Sequence, residues 1–204
     1  MNKVNSIFST DSFFLHFSTF LADAEKFRQK INEAKYTIKD EQISSRVLSH
    51  WHKLGILKDN RIDKKGWRKF SISEMIWIRI VIELRKFDYP LSKIKSVKES
   101  LDKANRKDEE QSSCILLDFY IASTIATNKP IKLLAFSNGE GIIANQNEID
   151  LSLSTNFIKD NYISIDINPI VRKFIPIVQE TDYLDYGITN IEKEVRATFY
   201  FEDV

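Results

Sequence analysis

The sequence predicts an α+β fold, mainly helical in its first half, with a small α/β domain at the C-terminal end. Three observations lead there. The 204 residues contain only 5 Gly and 4 Pro, which favours helices and short turns over an all-β architecture. Apolar residues recur at three- and four-residue steps through several stretches of the first hundred positions. Period-two alternation and a strong hairpin turn signal occur only in the second half. A hydrophobic content of 43% with 12% aromatics is enough for a real core, so global disorder is excluded.

Taken in order, residues 11–34 read as one amphipathic helix. Phe13, Phe17, Phe20, Ala24, Phe27 and Ile31 fall on one face. The same stretch loosely mimics a signal peptide, but Asp11 and His16 interrupt its apolar run. After "KYTIKDEQI", a helix over 44–54 ends at Gly55, a residue that enters the left-handed region freely. "ILKDNRIDKKGWRKFS" then reads as two short strands around a polar, Gly-containing turn. "SISE" at 71–74 has the spacing of a capping box for a helix through about 87. "DYP" at 88–90 breaks that helix, and another begins near Leu91 with Ile94, Val97 and Leu101 on one face. The charged run 103–113 is a candidate domain boundary. Beyond it, 114–127 reads as an apolar helix stopped by "NKP". "IKLLAFSNGEGIIAN" reads as a β-hairpin turning at Asn138-Gly139. "QNEIDLSLSTNF" fits a helix, and "YISIDIN" alternates like a half-buried strand. The tail "TNIEKEVRATFYFEDV" is open between helix and strand.

The near-neutral total hides a division of charge. Residues 35–107 hold 19 Lys/Arg against 9 Asp/Glu, a net of +10, while 108–204 hold 7 against 16, a net of −9. A basic middle beside an acidic end suits a nucleic-acid-binding module joined to one with another task. On this basis the chain divides into an N-terminal helix (1–34), a basic DNA-binding domain (35–107) and a small α/β domain (108–204) for assembly, partner or effector contact. The charge division predicts that the basic and acidic halves are separable.

Helix 44–54 is the centre of the functional reading. Val47, Leu48, Trp51 and Leu54 are assigned to its inner face, and Arg46, Ser49, His50 and Lys53 to its outer face. A helix held by one face over a core can lie in the major groove of DNA. Arg46 and Ser49 can then reach base edges or phosphates, His50 can contact either, and Lys53 adds charge. The following segment supplies Arg61, Lys64, Lys65, Arg68 and Lys69 for the backbone of flanking DNA.

These residues carry a resemblance. "SSRVLSHWHKLGIL…GWRKFSISEMIWIRIVIELRKFDYPLSKIKSVKESL" resembles the winged helix-turn-helix domain of MerR-type transcriptional regulators. Leu48, Trp51, Gly55, Ile56 and Leu57 fall on that family's recognition-helix pattern. Gly66, Trp67, Arg68 and Phe70 fall on its wing pattern, and Phe87, Tyr89, Leu91 and Ile94 on its last turn and helix. The resemblance covers about 44–101. It implies a transcriptional regulator in the cytoplasm, double-stranded DNA as partner, a homodimer, and contact with RNA polymerase. It also implies that Arg68 is the wing arginine that grips a phosphate. Three departures stand out. The family's first helix is shortened, since "YTIKDEQI" leaves little room for it. Ser49 replaces the basic residue that usually follows the helix leucine, and a short apolar segment running into Pro130 replaces the long charged dimerisation helix.

The remaining chemistry is sparse. Trp51, Trp67 and Trp77 are assigned to packing rather than base stacking. His50 and His52 are two apart and point to different sides of a helix, so they do not share a metal. Cys114 lies in an apolar run and is expected to be an inert buried thiol. There is no phosphate-binding glycine loop, no nucleophile elbow and no metal-spaced His/Glu cluster, so neither an enzyme nor a bound cofactor is expected. The other readings are an architectural or excisionase-like DNA-binding protein, and an interaction module whose winged domain no longer binds DNA.

Overall fold

The computed structural model describes residues 11–38, 43–58, 68–103, 114–127 and 129–175. The elements are α1 (Asp11–Asp23), α2 (Glu25–Asn32), α3 (Ser45–Lys53), α4 (Ile72–Lys86), α5 (Leu91–Asp102), α6 (Ile115–Thr127), β1 (Ile131–Phe136), β2 (Gly141–Asn145), α7 (Gln146–Ser154), β3 (Tyr162–Asp166) and α8 (Asn168–Val171). The α+β expectation holds, with helices leading and one small antiparallel sheet of order β2-β1-β3.

The single N-terminal helix is in fact two. Ala24 leaves helical geometry (φ −95, ψ 28), although Ala24 N still donates to Phe20 O at 3.1 Å and Arg28 N to Ala24 O at 3.0 Å. The hydrogen-bond path therefore persists through a local break. The apolar face is as expected, with Phe13, Phe20, Ala24, Phe27 and Ile31 buried.

The capping box at the start of α4 is present. Ser71 Oγ accepts from Glu74 N at 3.1 Å, and Ser71 N donates to Glu74 Oε2 at 2.9 Å. The break at 88–90 is present as well. Asp88 takes φ +55, and Pro90 stands before the first turn of α5. A proline there loses no helical bond and brings the required φ. The strand pair read over 56–71 is not what the described residues show. Ile56 and Leu57 are buried in a turn after α3, and Phe70 pairs with Tyr36 instead, through bonds of 3.0 and 2.7 Å. A pairing partner thirty-four residues upstream leaves no local trace in the sequence. The turn itself, 59–67, lies outside the described residues, as do 39–42 and the tail from 176.

In the C-terminal half the hairpin forms with Gly139 at φ +90, where its N–H donates to Phe136 O at 2.9 Å. This is a three-residue loop with glycine in the left-handed position. Both faces of the sheet are covered. Ile131, Leu133, Ala135, Ile143 and Ile165 join the main core, while Leu134, Phe136, Ile142 and Ala144 form a second cluster with Ile149 of α7 and Ile158.

The main core does not stop where the charge changes sign. It runs from Phe13 and Phe20 of α1 through Ile76, Ile80 and Ile94 to α6 and the sheet. Residues 115–126 of α6 are all buried. Phe119 packs edge-on against Phe13, Phe17 and Phe20 at 5.8, 5.4 and 5.5 Å between ring centres. The buried Asp118 carboxylate accepts from Ser73 Oγ at 2.7 Å and from Asn32 Nδ2 at 2.8 Å, tying α6 to α4 and α2. At Gly141 any Cβ would come within 2.5 Å of Val97 Cγ1, so only glycine lets β2 lie this close to α5. The core thus crosses the charge boundary, and the separability expected from it has no counterpart in the packing of the described residues.

Cys114 sits at the head of α6, 2% exposed. Burial pushes its thiol up to about 12. The native thiol is therefore neutral at physiological pH and unreactive, as expected from its apolar setting. Iodoacetamide at pH 8 should label it rapidly in denaturant and hardly at all in the folded protein, as mass spectrometry would show. Rapid native labelling would contradict the burial. Because the folded pKa lies above the ordinary 9.0, this thiol's contribution to stability is intact below pH 9 and lost as pH rises toward 12.

Candidate nucleic-acid interface

Helix α3 begins at Ser44, whose side chain accepts from Val47 N at 3.3 Å. It ends through Leu54 at Gly55, where φ is +76. Glycine at that point closes the helix without strain, as its place in the sequence indicated. Its inner face is narrower than the sequence pattern suggested. Leu48 and Trp51 are buried at 8% and 6%, but Val47 and Leu54 are 37% and 36% exposed. The assignment of those two to the inner face is corrected. Over nine residues only two positions reach the core, because the helix meets it along a single ridge.

Arg46, Ser49, His50 and Lys53 are all exposed. They lie at steps of three or four, on one stripe of α3. No hydrogen bond or ion pair ties these four side chains to the described residues. The stripe is available to an outside partner.

Two ties hold α3 in place. The Trp77 indole N–H of α4 donates to Ile56 O at 3.0 Å, just beyond the helix. Arg68 Nη1 donates to Leu48 O at 3.4 Å, and its guanidinium lies 5.9 Å from the centre of the Phe70 ring. Arg68 is thus half-buried and turned toward the protein, in contrast to its exposed neighbour Lys69. It also acts on Glu74, whose carboxyl is pushed up by burial and pulled the other way by the Ser71 hydrogen bonds and the charges of Lys98 and Arg68. The grip of Arg68 on α3 carried no sequence signal, since the accepting atom is a backbone carbonyl twenty residues earlier. Trp51 and Trp77 are packing residues, as expected. Arg61, Lys64 and Lys65 lie outside the described residues together with Gly66 and Trp67.

The C-terminal half reaches this region through its hairpin. Lys93 Nζ of α5 donates to Ser137 O at 2.6 Å, and Tyr89 Oη donates to Phe136 O. The sheet is thereby fastened to the turn between α4 and α5.

An exposed polar stripe on a short helix, Arg68 tying that helix to the segment before α4, and two helices joined at Pro90 thus lie together in one stretch of the chain. Residues 38–101 match the family model described as MerR HTH family regulatory protein. This stretch is similar to the MerR-type helix-turn-helix segment. The matched segment spans α3, α4 and α5 as far as Leu101, and both the sequence resemblance and the match leave the C-terminal half unrecognised. No curated protein and no solved structure matches the chain. Among the described residues no helix is long and apolar enough to cross a membrane, and no three His, Cys, Asp or Glu side chains are grouped as metal ligands.

Proposed function

We propose that the chain is a sequence-specific DNA-binding transcription regulator acting in the cytoplasm as a homodimer. The observation that carries this is the exposed stripe Arg46, Ser49, His50 and Lys53 on a helix held from behind by Leu48 and Trp51, inside a MerR-type segment. Arg46, Ser49 and His50 face the base edges of the major groove. Lys53, Arg61, Lys64, Lys65, Arg68 and Lys69 bind phosphates, which adds affinity without reading sequence. Residues 35–107 supply this contact, and 108–204 serve assembly, RNA polymerase contact or effector response.

The test is enrichment of genomic fragments by the purified protein, followed by footprinting and transcription in vitro. A protected site with altered transcription supports regulation. Protection without any effect on transcription identifies an architectural protein, and no binding to any duplex leaves an interaction module. At the residue level, Arg68→Ala should weaken binding to all duplexes similarly. The plot of log affinity against log salt should flatten by about one unit. Equal affinity at every salt concentration would remove Arg68 from the interface and leave it only its tie to α3.

A further inference from the structure

We propose that Lys95 of α5 is an additional phosphate contact, placed at the C-terminal end of the recognition helix α3. The inference rests on the DNA-binding reading and deepens it. Lys95 Nζ lies 3.8 Å and Cε 3.6 Å from the point where a Cβ on Gly55 would stand. Its ammonium therefore sits beside the bare residue that ends α3.

That position matters for an anionic partner. A recognition helix reads base edges mainly with its N-terminal residues, so its C-terminal end lies toward the rim of the groove, where phosphates run. The C-terminal end of a helix also carries a partial negative charge from its unpaired carbonyls. Left alone, that end repels a phosphate. Lys53 on the last turn of α3 and Lys95 beside Gly55 place two cations there. Together they extend the basic stripe of α3 onto a second helix.

The other lysines within α5 are committed elsewhere. Lys93 bonds the hairpin carbonyl of Ser137 at 2.6 Å. Lys98 is largely buried, 2.7 Å from Asp102, with its ammonium over the Trp77 ring. Lys95 is 48% exposed, and its ion pair with Glu99 is long at 3.8 Å, with Glu99 itself 61% exposed. Such a surface pair holds its cation weakly. A phosphate can take the ammonium from Glu99 without breaking any buried interaction.

The experiment uses the full chain, with Lys95→Gln, Lys95→Arg and Glu99→Gln, titrated on an enriched genomic duplex and a random duplex across salt concentrations. Lys95→Gln should weaken both complexes by a similar factor and flatten the salt slope by about one unit, with the melting temperature unchanged. Lys95→Arg should keep the parental slope. Glu99→Gln should tighten binding to both duplexes. An unchanged slope in Lys95→Gln overturns the inference. So does a lower melting temperature with weaker binding to the genomic duplex alone, because that pattern belongs to a residue that merely braces α3. If the parent protein itself binds neither duplex, the DNA-binding reading fails first and the inference with it. Parental binding with an indifferent Lys95 removes the inference alone.

Discussion

Ending the chain after residue 107 is expected to abolish cooperative folding of the helix-turn-helix segment, and DNA binding with it. The truncation removes α6, whose residues 115–126 are buried throughout. It exposes Phe13, Phe17 and Phe20, which pack on Phe119. It strips Val97 of its close contact at Gly141, and Ser73 and Asn32 of the Asp118 carboxylate. A fully buried Leu, Ile or Phe side chain contributes about 1.5–3 kcal/mol, and a whole domain is stable by only about 5–15 kcal/mol. Losing a dozen buried partners exceeds that margin. Circular dichroism on heating should show no cooperative transition for the fragment, where the full chain gives one. A fragment that melts cooperatively and binds DNA would mean that the core divides at the charge boundary after all.

The second large effect separates the two faces of α3. Trp51→Ala is expected to cost about 3–5 kcal/mol and Leu48→Ala about 2–5 kcal/mol, as for other large-to-small changes in a core. Val47→Ala and Leu54→Ala should stay within about 0.5 kcal/mol, because both side chains are substantially exposed. Chemical denaturation of the four variants measures this directly. Equal losses at all four positions would restore the wider inner face that the apolar pattern alone suggests. Because Trp51 and Leu48 also position the outer stripe, their variants should lose DNA affinity in proportion to the folded fraction lost.

How much of this was legible beforehand depended on the range of the interaction involved. Signals carried by neighbours along the chain were readable. Ser71 and Glu74 are three apart and form their capping box, and Gly55 ends α3 where its backbone freedom is needed. Pro90 starts α5, and Asn138-Gly139 turns the hairpin. The outer stripe of α3 was legible for the same reason, since residues three or four apart on a helix share a face.

What needed the tertiary structure is what depends on partners distant in sequence. Val47 and Leu54 are apolar like Leu48, and only the packing behind α3 decides which of them is buried. Phe70 pairs with Tyr36, and Arg68 bonds Leu48 O, through contacts that leave no periodic mark. Helix α6 of the acidic half fills the common core, so the change in net charge does not mark a boundary in the packing of the described residues. Local spacing determined the elements and the exposed stripe of α3, because hydrogen bonding and periodicity act within a few residues. Packing decided which side chains face inward, which lysine stands beside Gly55, and that the two halves share one interior, because burial depends on the whole assembled chain.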